Sequence, residues 1–155
     1  MPERVMTASI AHPEGPERRA EITRRLMEET GLDDAMLERL VRAFYARARV
    51  DPVIGAKFDV VEDWEHHIAR ISEFWSAVAL MTGRYHGQPL AAHVPLDVRG
   101  PHFDRWLQLW ETTVREICPE RALPYLMDKA RRIAASLEMG TSVARGELPG
   151  MRATA

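Results

Sequence analysis

The sequence predicts an all-α fold, and three observations carry that prediction. Apolar residues recur at the three- and four-residue spacing of a helix face over four long stretches. No stretch sustains the period-two alternation of a half-buried strand. Proline and glycine fall between the periodic stretches, where helices start and stop. The 155 residues (17.7 kDa) suit one domain with one core, since a chain of this size buries roughly 68–70% of its unfolded surface.

The elements follow in order. Residues 1–20 hold Pro2, Pro13 and Pro16 with scattered charges and read as a disordered or loosely attached extension. A short helix is expected over Ile22–Glu29, closed by Thr30-Gly31. From Asp34, placed as the N-cap, a clear stripe runs through Leu37, Leu40, Val41, Phe44, Tyr45 and Ala48 and stops at Asp51-Pro52. Pro52 to Glu62 reads as irregular, with Gly55 and Phe58. An amphipathic helix from Asp63 to about Met81 turns Trp64, Ile68, Ile71, Phe74, Trp75 and Val78 inward, and Gly83 is expected to end it.

Pro89 can occupy the first turn of a helix, whereas Pro95 forbids continuation, so a helix of one or two turns lies between them with His93 near its end. Pro101 opens a long helix with the stripe Phe103, Trp106, Leu107, Trp110, Val114 and Ile117, ending at Cys118-Pro119. The last helix, with Pro124 in its first turn or kinking it, turns Leu126, Ala130, Ile133, Ala134 and Leu137 inward and is expected to close at Gly140. The domain proper is therefore drawn at 21–140, with 141–155 as a flexible tail.

Composition excludes several functions. Twenty-one basic against 23 acidic residues give a net charge of −2 and a pI near 6.3, without the basic excess of a nucleic-acid binder. The single cysteine, Cys118, excludes an internal disulfide and a paired-cysteine metal site and fits a reducing compartment. No apolar run reaches the roughly 18 residues of a membrane span, and the first residues lack a signal-peptide core. The expectation is a cytoplasmic protein without membrane or nucleic-acid partners.

The informative residues are polar groups that helical geometry turns inward. His67 lies three residues after Trp64 and four before Ile71 and shares their stripe, while His66 points sideways. Tyr45 and Trp106 lie on the buried faces of two other helices. Each carries a hydrogen-bonding atom that costs about 1–3 kcal/mol if buried unpaired. Singly, each is more often structural, an inward tyrosine or tryptophan commonly finding a backbone carbonyl. Together they suggest a shared polar spot in an apolar cavity. His93, held between two prolines, has the rigidity that a metal ligand needs. No Glu-x-x-His pair of a di-iron bundle occurs, and Asp63-x-x-His66 lies off the apolar face. One histidine in an apolar lining suits a haem, whose porphyrin supplies four nitrogens, and the missing Cys-x-x-Cys-His motif makes any haem non-covalently held.

These residues carry a resemblance. Phe44-Tyr45, Asp51-Pro52 with Gly55 and Phe58, Trp64-x-x-His67 with Phe74-Trp75, Tyr85-x-Gly87-x-Pro89-x-x-x-His93, Phe103-x-x-Trp106-Leu107 and Ala130-x-x-Ile133-Ala134-x-Ser136-Leu137 stand in an order and spacing similar to a truncated haemoglobin of the third group, over about residues 32–140. Two departures stand out: an amino-terminal extension longer than the family usually carries, and no glycine pair before the long distal helix, as is usual for the third group.

The resemblance implies a two-over-two helical sandwich around a b-type haem, with His93 as the proximal iron ligand. It places Tyr45, His67 and Trp106 on the distal side as stabilisers of a gaseous ligand, with His67 as a gate or auxiliary donor. It further places Phe58 on the haem face, Ile71, Phe74 and Trp75 along the pocket, and Arg70 at a propionate. The implied function is reversible binding of O2, NO, CO or peroxide at a pentacoordinate or weakly hexacoordinate iron, with slow release and an unidentified reductase as partner. The alternatives are a haem enzyme for peroxide or nitric-oxide chemistry, and a haem-free helical interaction module whose tryptophans are simply core.

Overall fold

The computed structural model describes residues 15–147; the expectations for residues 1–14 and 148–155 lie outside them. Among the described residues the chain forms six α-helices and no strand: α1 Pro16–Thr30, α2 Asp34–Ala48, α3 Trp64–Leu80, α4 Pro89–His93, α5 Gly100–Ile117 and α6 Leu123–Ala144. Short 3-10 turns cover Gly55–Phe58, Val94–Leu96 and Glu120–Ala122. Helix α2 packs on both α3 and α5, and α5 packs on α6, so two helix pairs lie one over the other. Helix α1 rests on α3, and α4 rests on α6.

Four boundaries differ from expectation, each for a local reason. Helix α1 starts at Pro16 rather than Ile22, with the proline in the first turn, where its missing N–H costs nothing. Residues 16–20 are therefore helical, although exposed. The N-cap of α2 is Asp33, whose carboxylate accepts the Met36 N–H at 2.8 Å. Asp34 instead accepts from Ser76 Oγ at 2.7 Å and pairs with Arg84 at 2.8 Å, tying α2 to α3 and the segment after it. Helix α3 ends at Leu80, and Met81 takes the left-handed turn (φ 54°) two residues before Gly83 does the same (φ 70°).

Helix α6 passes through Gly140 and ends at Ala144, so residues 141–144 are helix rather than tail. Gly140 serves close approach, not capping: a Cβ there would lie 2.6 Å from a Leu90 methyl of α4. Asp63, read as the first residue of α3, is its N-cap and accepts the His66 N–H at 3.1 Å, and α5 ends at Cys118-Pro119 as read.

The core has two parts. The larger gathers Leu37, Leu40, Val41 and Phe44 of α2 with Trp75 and Ala79 of α3, Trp110 and Val114 of α5, and Leu126 and Ala130 of α6. The smaller gathers Val98, Phe103 and Ala134 with Leu96, Leu107 and Leu137. Trp106 and Leu107 border both, so the two clusters meet along α5. Among the described residues no helix is long and apolar enough to cross a membrane.

Candidate functional site

The site is built from the short helix outward. His93 stands in the last turn of five-residue α4, where its Nδ1 meets the Pro89 carbonyl oxygen at 2.6 Å. A carbonyl only accepts, so Nδ1 carries the proton and donates, which leaves the Nε2 lone pair of the neutral ring free for a metal. The proline therefore does two things: it starts the helix and supplies the acceptor that fixes the imidazole.

A second polar group joins α2 and α3. His67 Nε2 and the Tyr45 hydroxyl are 3.0 Å apart. Burial holds His67 below the usual imidazole pKa, and His66 and His93 push in the same direction. Burial drives the Tyr45 phenol far above its ordinary value, so Tyr45 is a neutral donor at any ordinary pH.

Aromatic rings enclose this pair. Tyr45 meets Phe58 edge-on at 5.4 Å, Trp64 at 5.3 Å and His67 at 5.0 Å between centroids. Trp64 also meets His67 at 5.6 Å and carries the Arg49 guanidinium over its outer face at 4.1 Å. Trp106 of α5 is half-buried and borders both core clusters. Ile71 and Phe74 are half-buried beside the core, whereas Trp75 is sealed within it, stacked on Trp110.

Arg70 lies over the Tyr85 ring at 5.2 Å, and Tyr85 packs edge-on against Phe74 at 5.2 Å. Gly87 belongs to the same arrangement, because a Cβ there would collide with the Tyr85 hydroxyl. Sequence reasoning did not assign Trp64, Arg49 or Tyr85 to the site. Trp64 carried a signal in its place three residues before His67 on one stripe, and Tyr85 in the run Tyr85-x-Gly87-x-Pro89-x-x-x-His93; Arg49 carried none. The tautomer of His93 carried none.

The donor set fits a porphyrin-held iron. Among the described residues no group of three or more His, Cys, Asp or Glu side chains could hold a bare metal ion. One imidazole with a fixed tautomer and a neutral Tyr45–His67 hydrogen-bonding pair suit a metal whose other ligands come from the macrocycle.

The profile of the bacterial-like globins matches residues 25–136. A group 3 truncated hemoglobin, ctb, of Campylobacter jejuni is 28% identical over 113 residues, 69% of this chain and 89% of that protein. The crystal structure of a group III truncated hemoglobin from the same organism superposes with a TM-score of 0.63 at 28% identity, again over 69% of this chain and 89% of that one. Helical layers, spacing and profile agree, and the chain belongs to the bacterial-like globin family, a membership that implies haem binding.

Proposed function

We propose that the protein binds O2 and other diatomic ligands reversibly at a haem b held through His93 Nε2, and releases them slowly. The observation that carries this reading is the 2.6 Å bond from His93 Nδ1–H to the Pro89 carbonyl, which leaves a single, oriented lone pair in an apolar site. When bound, haem supplies an iron centre with an open coordination position for a small gas. Attachment is non-covalent, because Cys118, the chain's one cysteine, lies at the end of α5 and belongs to no haem-attachment motif.

The distal residues have separable tasks. Two neutral arrangements of the Tyr45–His67 pair exist. In one, Tyr45 donates to His67 Nε2; in the other, His67 Nε2–H donates to the phenol oxygen and frees the Tyr45 O–H to point at a ligand. The second arrangement sets both donors in series and fixes the phenol without using its proton. Trp106 contributes its indole N–H as a further donor to a ligand. Phe58, Ile71 and Phe74 keep water out, which strengthens each of these bonds. Arg70, on the pocket's edge with its charge resting on Tyr85, is the candidate for a propionate.

A hydrogen bond to a charge-bearing ligand contributes about 1.5–3 kcal/mol, or roughly tenfold to a hundredfold in affinity. Absorption spectra of the protein loaded with hemin, before and after dithionite and carbon monoxide, test the reading. A haem spectrum that shifts with both supports it; a protein that stays colourless when supplied with hemin overturns it.

A further inference from the structure

Three indoles run in contact from the candidate site into the core. Trp106, on the site's wall, is parallel to Trp110 one turn along α5, with centroids 5.8 Å apart and planes at 5°. Trp110 then stacks on Trp75 of α3 at 4.4 Å and 19°. Trp75 and Trp110 are each 1% exposed. The Trp110 Nε1–H is buried with no hydrogen-bond partner.

Packing alone does not explain an indole at Trp110. A phenyl ring would continue the stack without burying an N–H that must surrender its water and gain no acceptor. What an indole adds is an electron that is far more easily removed, and parallel rings in contact spread the resulting positive charge over more than one of them. The absent acceptor matters in the same direction. An oxidised indole ordinarily loses its N–H proton to a nearby base, and Trp110 has none, so its charge stays mobile and an incoming electron restores the ring. Tyr45 is the contrasting case, with His67 at 3.0 Å ready to take its proton.

We propose that the Trp75–Trp110–Trp106 stack is an electron donor to the site, giving up one electron when hydrogen peroxide is reduced there. The proposal rests on the haem reading above. Cleaving the O–O bond takes two electrons, one from the iron of the implied cofactor and one from the stack. With two solvent protons, both oxygens reach the oxidation level of water, and the stack is left as an indole radical cation. Two molecules of ascorbate, a one-electron reductant supplied in solution, then return the two electrons, one to the bound cofactor and one to the stack.

The test uses the full chain loaded with hemin, mixed with peroxide and frozen within milliseconds for electron paramagnetic resonance. Protein grown with ring-deuterated tryptophan should give a narrowed radical signal, and protein grown with ring-deuterated tyrosine an unchanged one. Trp110→Phe should lose that signal while the haem absorption before peroxide is retained, and Trp106→Phe, which breaks the stack at its site end without touching the sealed core, should lose it too. A signal that narrows with the tyrosine label, or that survives both substitutions, overturns the proposal. Normal hemin uptake with no tryptophan radical overturns it alone; a chain that takes up no hemin overturns both it and the reading beneath it.

Discussion

Replacing Tyr45 with Phe separates the hydroxyl from the ring. The ring is buried against Phe44, Phe58, Trp64 and His67, and phenylalanine keeps all of those ring contacts. The hydroxyl makes one hydrogen bond, to His67 Nε2 at 3.0 Å. Its loss costs stability at the low end of about 0.5–1.5 kcal/mol, because His67 is only half-buried and water reaches the ring. Toward a ligand carrying negative charge the same hydroxyl is worth about 1.5–3 kcal/mol, so release should speed up roughly tenfold to a hundredfold. Stopped-flow mixing of the oxygenated protein with dithionite measures release, and thermal unfolding of the same samples measures stability. The expected pattern is a large kinetic effect beside a small stability effect. Trp106→Phe should give a comparable acceleration, and the double variant less than the product of the two if both donors serve one ligand atom. Release unchanged in both single variants would refute the reasoning.

Three further outcomes are expected. His93→Ala should abolish stoichiometric hemin uptake, read by absorption titration, with partial recovery on adding free imidazole; normal uptake by the variant would reject His93 as the ligand. Gly55→Ala should cost about 1–3 kcal/mol in denaturant unfolding, since its Cβ would lie 2.8 Å from the Arg49 carbonyl oxygen and only backbone movement relieves the clash. The Arg105 guanidinium, with the Val53 and Ile54 N–H groups, holds the Asp51 carboxyl below its usual range against the effect of burial. That stabilisation is present above the ordinary carboxylate pKa of about 3.9 and is lost as pH falls through the lower folded value, so Asp51→Asn should flatten the acid side of a melting-temperature profile.

What the sequence made legible was whatever repeats along one helix. All six residues read on the α2 stripe, from Leu37 to Ala48, are buried, because burial on one face imposes the spacing from which they were read. His67 separates from His66 for the same reason. The proline bracket around α4 is equally local, since proline acts on its own turn. Features set by a neighbouring element were not legible. Gly140 has the look of a helix end, yet its lost side chain makes room for Leu90 fifty residues earlier in the chain. Helix α1 buries only Thr30, so it offers almost no apolar periodicity to read. The bond that fixes His93 depends on where a carbonyl points, and the stack of Trp75 on Trp110 joins two helices. Neither leaves a trace in spacing.

Helix α4 buries none of its five residues, and its main support from a long helix is α6. A segment with so little of its own to hold it shut belongs to the first parts of a protein to open. Metal coordination at His93 would then act as a clasp, converting the free energy of ligation into local order. Amide exchange from Gln88 to Leu96 should slow sharply when hemin is added, while the α2–α5 contact changes little. In living cells the difference would expose the empty chain, but not the loaded one, to cleavage at that single short stretch.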